Sequence, residues 1–308
     1  MKNKNSSVPV IIIALMANIF IAIIKAIVAF ISNSTAMLAE SIHSFADTFN
    51  QVFLLIGIKK GLKKADKLHP FGFSGELYFW SFIVAIMLFT AGSVFSIYEG
   101  IHKLNNPVPL ENIKYAFIVL GISVIAESIA FSRAVKKINK ERKNRSIFRY
   151  LRETKKSELI VIFLEDSAAI TGLFIAATGI FLQYKTGILI FDGIASIIIG
   201  ILLGTVAFFL GNETRSLLVG ESADFEVMEN ITNLLKQEES INKIVDIKSL
   251  QMGPNDIMIA VKIEFNSHLN AVEISNLING MEKDIRSKYP EIKKIFIEPD
   301  IYISDYKR

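Results

Sequence analysis

Six long apolar segments constrain this chain more than any other feature of its sequence. A helix needs about 20 predominantly apolar residues to cross roughly 30 Å of hydrocarbon. The six segments have that length and cover residues 8–31, 36–58, 77–101, 113–135, 159–183 and 188–210. Hydrophobic residues make up 51% of the 308 positions and are concentrated in these runs. The sequence therefore predicts an α-helical membrane protein with six transmembrane helices embedded in a lipid bilayer.

The basic residues of the linkers predict how the spans are oriented. Five lysines follow the second segment and ten Lys or Arg residues follow the fourth, whereas the linker after the first segment has none. Positively charged loops stay cytoplasmic during insertion. With Lys2 and Lys4, this places both termini in the cytoplasm, and we expect the plasma membrane as the compartment. We interpret the basic linker 136–156 as a solvated loop beside anionic headgroups and expect no nucleic-acid partner.

After residue 210 the composition changes to that of a soluble domain. Helical and alternating patterns follow one another in the order α-β-β-α-β. They cover residues 224–239, 244–251, 257–265, 270–288 and 292–297. This order predicts a small two-layer α+β domain. The chain is thus expected to divide into a transmembrane domain, 1–216, and a cytoplasmic domain, 217–308.

Ionisable side chains inside the predicted spans indicate a site, because charged groups are expensive in hydrocarbon. His43 and Asp47 are four residues apart on the second predicted helix, so they share one face near the middle of the membrane. Glu165 and Asp166 reach a comparable depth on the fifth predicted helix. Imidazole and carboxylate oxygen suit first-row divalent metals, and imidazole suits zinc in particular. We therefore predict a metal site from these four side chains.

The alternative interpretation is an interhelical hydrogen-bond cluster that only stabilises the bundle. Such clusters mostly use Ser, Thr, Asn or Gln, and grouped acids repel one another unless they are protonated or bind metal. We therefore favour the metal site. Glu127 and Asp192 are further candidates for a supporting or proton-carrying role, and Asp192 is equally consistent with a solvated helix cap. We interpret Lys25 as an anchor that extends to the membrane interface.

Five motifs are spread over nearly the whole chain: Ala39-Glu40-Ser41-Ile42-His43-Ser44-Phe45-Ala46-Asp47, His69-Pro70-Phe71-Gly72-Phe73, Tyr98-Glu99-Gly100, Asp192-Gly193-Ile194-Ala195-Ser196 and Leu218-Val219-Gly220-Glu221-Ser222-Ala223. Together they resemble the cation diffusion facilitator family, and the first is similar to that family's HxxxD helix. Residues 163–169 lack the second HxxxD or DxxxD pair and resemble the Leu-Glu-Asp-Ser/Thr-Ala-Ala variant of the branch that includes mitochondrial zinc transporters. The resemblance implies a homodimeric antiporter that exports zinc or a related cation in exchange for protons. It also implies a ferredoxin-like cytoplasmic domain that supports the dimer.

We therefore expect a divalent-metal efflux transporter that works by alternating access, with Zn²⁺ and protons as substrates and no prosthetic group. Export of manganese, iron or cobalt is an alternative, because one imidazole and several carboxylates fit all of these ions. A channel or a non-transporting metal sensor is a second class of function. We expect no enzyme, because no HExxH motif, glycine-rich phosphate loop or Ser/His/Asp arrangement occurs. His268 is the only histidine of the predicted cytoplasmic domain and cysteine is absent, so we expect no metal cluster there.

Overall fold

The structure is a computed structural model, and it describes residues 7–142 and 144–300, with side chains from Leu15 onward except Ala17. Lys2, Lys4 and Lys143, on which part of the predicted orientation depends, lie outside these residues. The helices are α1 (Ser7–Ser32), α2 (Thr35–Gly61), α3 (Glu76–Met87), α4 (Phe95–Asn105), α5 (Ile113–Glu141), α6 (Ile147–Glu153), α7 (Ser157–Thr186), α8 (Phe191–Val219), α9 (Phe225–Lys236) and α10 (Ala271–Lys288). The strands are β1 (Ile241–Gly253), β2 (Asp256–Phe265) and β3 (Ile292–Pro299).

Long helices occupy all six predicted spans, and the third span is α3 and α4 joined end to end. In the part of the chain that the structure describes, four stretches are long and apolar enough to cross a membrane: Glu76–Asn105, Ile113–Glu141, Ser157–Thr186 and Phe191–Val219. Of the first span, α1, the apolar stretch Asn18–Ser32 lies within the residues whose side chains the structure describes. The second, α2, has spanning length but carries polar residues along its buried face. The predicted α-helical membrane architecture is confirmed.

Two features of the helices differ from the sequence interpretation. A π-helical turn, Leu88–Val94, joins α3 to α4, which a 3.6-residue periodicity does not reveal. The basic linker contains the short helix α6, so its interpretation as a plain loop was wrong. Tyr150 and Leu151 of α6 are buried, and the Tyr150 hydroxyl donates to Oε2 of Glu141 over 2.9 Å. These buried contacts order the linker despite its charge.

Small residues let α4 and α8 approach closely. A Cβ atom added to Gly100 would lie 2.7 Å from the carbonyl oxygen of Gly193, and one added to Gly200 would lie 2.6 Å from Cγ1 of Ile97. Neither position has room for a larger side chain unless the helices separate. Close packing through small residues is the usual means of helix association in a bilayer, where the hydrophobic effect does not drive it. This contact holds α8, and with it Asp192, within the bundle.

The chain folds into two compact units. The first comprises the described residues up to Lys59 together with Phe79–Arg152 and Ser157–Thr214. The second comprises Lys60–Tyr78, Glu153–Lys156 and the described residues from Arg215 onward. The loop before α3 thus belongs to the same unit as the C-terminal sheet, which the sequence did not indicate. The division into domains 1–216 and 217–308 stays a prediction.

The C-terminal part of the second unit has the predicted α-β-β-α-β order, which is confirmed. Its sheet has the strand order β1-β2-β3, with β1 and β2 antiparallel and β2 and β3 parallel. The crossover helix α10 begins with a capping box, in which Asn270 and Glu273 satisfy each other's backbone N–H groups. The core between the helices and this sheet contains Ile231, Leu235, Ile259, Val261 and Ile285.

Candidate metal site

One face of α2 carries buried polar side chains into the helical bundle. His43 is 1% exposed and Asn50 is fully buried. The Nδ1 atom of His43 lies 3.3 Å from Oδ1 of Asp47. Among the described residues, neither of these atoms has a partner in hydrogen-bonding geometry, and neither has Nε2 of His43. Buried polar atoms are nearly always satisfied, which makes these atoms candidates for binding a metal ion.

Helix α7 adds a carboxylate to this face. Glu165 is 7% exposed, and its Oε1 atom accepts a hydrogen bond of 2.7 Å from Nδ2 of Asn50. The side chains of Asp47 and Glu165 also interact directly. The structure therefore places Asp47 beside both His43 and Glu165, and the metal site predicted from these residues stays a prediction. The sequence interpretation missed Asn50, although its position three residues after Asp47, within an apolar run, places it on the same face.

Asp166 and Glu127 lie around this cluster. Asp166 is partly exposed, and because it follows Glu165 directly it is turned by about 100° around α7. Glu127, on α5, is close enough to Asp47, Glu165 and Asp166 to interact with them electrostatically. Within residues 7–142 and 144–300, no three His, Cys, Asp or Glu side chains form a ready-made metal cluster. The four-residue ligand set and the supporting role of Glu127 stay predictions.

Asp192 connects α8 to the beginning of α2. Its carboxylate accepts hydrogen bonds from the backbone N–H of Thr35 (2.6 Å) and Ala36 (3.4 Å) and from the hydroxyls of Ser34 and Thr35. The residue is completely buried, so the alternative of a solvated cap was wrong. Asp192 belongs to α8 but caps α2, because it accepts hydrogen bonds from the free backbone N–H groups at the start of that helix. A proton-carrying role for Asp192 stays a prediction.

Lys25 does not extend to an interface, and that interpretation was wrong. The side chain is fully buried, with Nζ 3.3 Å from Oε2 of Glu40 and a hydrogen bond of 2.7 Å to Oγ of Ser44. Glu40 is also fully buried and was missed as an ionisable residue of the bundle. Its position three residues before His43 could have revealed it. Burial removes the hydration of both charged groups, and the attraction between the ammonium and the carboxylate offsets that loss.

The loop motif around His69 has a local structural role. Oδ1 of Asp66 accepts hydrogen bonds from the backbone N–H groups of His69 (2.7 Å) and Leu68 (3.0 Å). The bond from the His69 backbone N–H lowers the pKa of the Asp66 carboxyl, with smaller contributions from the His69 ring and Leu68. The His69 ring itself is half exposed. This motif therefore closes a turn in the second unit.

The helical architecture defines a polytopic membrane protein that buries ionisable side chains, among them His43 and Glu165, within its bundle. A family model described as the cation efflux transmembrane domain matches residues 11–219. The chain belongs to the cation diffusion facilitator family.

Relatives of known name are similar over most of this chain. The human mitochondrial protein named proton-coupled zinc antiporter SLC30A9 is 32% identical over 262 residues, which are 84% of this chain and 46% of the human protein. Metal tolerance protein C4 of Arabidopsis thaliana is 32% identical over 83% of this chain and 56% of its own length. The chain thus spans about half the length of these relatives. The manganese efflux system protein MneP of Bacillus subtilis is 24% identical over 96% of both chains.

Proposed function

We propose that this chain is a divalent-metal efflux transporter that exchanges Zn²⁺ for protons by alternating access. The observation that carries the proposal is the buried set of unpartnered donor atoms on His43 and Asp47, next to Glu165. Leaving such atoms without a partner costs about 1–3 kcal/mol each. A divalent cation removes part of that cost by binding one ring nitrogen of His43 together with carboxylate oxygen, and neutral imidazole with carboxylate oxygen is a ligand set that zinc accepts.

The helices assign separate tasks to the side chains around the cation. His43, Asp47 and Glu165 supply the donors, with Asp166 as a fourth ligand once α7 turns. Asn50 holds Glu165 in position through its 2.7 Å hydrogen bond. Because α2 and α7 both contribute, a movement of one helix against the other takes the site apart. That dependence on two helices is what alternating access requires of a transport site.

Protons are the natural counter-substrate for this ligand set. Carboxylate and imidazole bind metal only when deprotonated, so metal and protons compete for the same atoms. Protonation on the far side of the membrane weakens metal binding there and returns the carrier without its cation. The name of the human relative, a proton-coupled zinc antiporter, supports this coupling. A homodimer, cytoplasmic termini and the plasma membrane belong to the same proposal.

Manganese is the alternative substrate favoured by a specific observation. One relative that covers 96% of this chain is named a manganese efflux system protein. The carboxylates of Asp47, Glu165 and Asp166 are donors that manganese also prefers. The single imidazole of His43 is the ligand that distinguishes the two metals. Replacement of His43 by Asp should lower zinc transport and raise manganese transport.

The function is tested by metal flux in proteoliposomes with an imposed pH difference. The wild type should move zinc against its gradient, and Asp47→Asn should lower the flux at least about tenfold, as loss of a ligand or its partner does elsewhere. Asp284→Asn removes an exposed carboxylate of α10 and is the matched control. Zinc transport at the wild-type rate by Asp47→Asn would contradict the proposal. Binding without flux would indicate a sensor, and flux that ignores the pH difference would indicate a channel.

A further inference from the structure

A buried lysine lies beside the candidate metal site. Lys25 of α1 is fully buried, and its ammonium contacts Oε2 of Glu40 at 3.3 Å and donates to Oγ of Ser44 over 2.7 Å. The ammonium is also close enough to His43 and Asp47 to act on them electrostatically. None of the tasks assigned above to the metal ligands uses this lysine.

Glu40 shares a helix face with the predicted ligands. It precedes His43 by three residues, and side chains at that spacing are neighbours, with Cβ atoms about 5–6 Å apart. A glutamate there can deliver its carboxylate to an ion held by His43. In the structure the carboxylate instead binds Lys25 through Oε2. Its position on the helix makes Glu40 a potential ligand, and its Oε2 atom is engaged by Lys25.

The other carboxylate oxygen of Glu40 faces α7. Oε1 has no hydrogen-bond partner among the described residues, and a Cβ atom on Gly172 would overlap with it. The same two helices carry the Asn50–Glu165 hydrogen bond. Glu40 is therefore positioned at the α2–α7 contact that contains the metal site, with one oxygen atom unsatisfied.

We infer that Lys25 is a positioning residue that determines metal specificity by keeping the Glu40 carboxylate out of the coordination sphere. The inference rests on the proposed function and concerns the same site. With Glu40 held by Lys25, the ion meets one imidazole and few oxygens, which suits four-coordinate zinc. Without the ammonium, Glu40 adds an oxygen donor and a negative charge. The added oxygen donor favours manganese, which prefers more oxygen ligands.

Metal titrations of the purified full chain test this inference. The quantity to compare is the ratio of the manganese to the zinc dissociation constant, measured by calorimetry in detergent. Lys25→Met should lower that ratio by about tenfold, the lower end of the effect of removing a partner of a metal ligand. Lys25→Met combined with Glu40→Gln should return the ratio to the wild-type value, because the released carboxylate is then absent. Lys25→Arg keeps a cationic side chain at this position and should show the wild-type ratio.

Controls separate this inference from a structural role and from the proposed function. Lys283→Met, on the exposed face of α10, controls for loss of a lysine. A merely structural Lys25 would lower stability in the single variant without changing the ratio between metals. Equal ratios in Lys25→Met and the double variant would overturn the inference. Should Lys25→Met fail to fold, Lys25→Gln keeps a donor for Ser44 and carries the same expectation. Failure of the wild type to bind zinc would instead contradict the proposed function.

Discussion

The carboxylate of Asp192 accepts a hydrogen bond of 2.6 Å from the backbone N–H of Thr35, although the two residues are 157 positions apart in sequence. The same carboxylate accepts from the Thr35 hydroxyl over 2.9 Å. Because Thr35 begins α2, this contact determines where that helix starts. His43 follows Thr35 by eight residues, so the depth of the candidate metal site depends on α8 as well as on α2.

Replacement of Asp192 by Ala should destabilise the bundle by about 1–3 kcal/mol, because buried N–H groups at the start of α2 lose their acceptor. The melting temperature of the purified protein in detergent should fall, and zinc affinity should fall with it. Asp284→Ala removes an exposed aspartate and is the control. An unchanged melting temperature in Asp192→Ala would show that the cap contributes nothing to stability.

Replacement of Gly172 by Ala should disturb Glu40 in particular. The added methyl group would overlap with Oε1 of Glu40, so the carboxylate must shift and its contact with Lys25 must change. We expect a lower melting temperature in this variant. In a Glu40→Ala background the same substitution should be neutral or stabilising by up to about 1 kcal/mol, because alanine is the better helix former.

The control for the Gly172 variant is Gly121→Ala. Gly121 lies in the interior of α5, and an added Cβ atom there would meet no atom within 4 Å. This variant should show only the gain in helix propensity. Equal effects of the two alanine substitutions would mean that Glu40 does not occupy the position described.

The pH dependence of stability should reveal the contact of Glu221 with Lys155. Partial burial opposes ionisation of Glu221, but the hydrogen bonds from Lys155 and Ser216 and the Lys155 charge outweigh it, so the pKa of this carboxyl is lowered. A carboxyl with a lower pKa in the folded state adds stability above its unfolded pKa of about 4.3 and loses it as the pH falls further. The wild type should therefore lose more stability than Glu221→Gln between about pH 6 and pH 3.

Melting temperatures recorded across this pH range provide the measurement for Glu221. Glu229→Gln, an exposed glutamate of α9, changes the net charge equally and should follow the wild type. The exposure of the Glu221–Lys155 pair, about a fifth for each side chain, keeps the expected difference small. Parallel curves for wild type and Glu221→Gln would contradict the assigned contact.

Much of the candidate site could be predicted from local spacing. The i, i+4 relation of His43 and Asp47 placed them on one face, and the charge of Glu165 within an apolar run made it a candidate ligand. The same reasoning failed for Lys25, because its distance from the helix end suggested an interfacial lysine. It also overlooked Glu40 and Asn50, whose spacing places them on the face of His43 and Asp47 but whose partners lie on other helices.

The sequence alone determined the order of the membrane spans and of the helices and strands after them, because hydrophobic periodicity and the thickness of a bilayer act on local stretches of chain. It also determined the chemical type of the candidate ligands. Only the tertiary structure decided which helix each buried charge faces. The deciding contacts join residues 15, 115 and 157 positions apart. Such pairings arise from the packing of whole helices, where small residues such as Gly172 allow close approach, and local spacing carries no information about them.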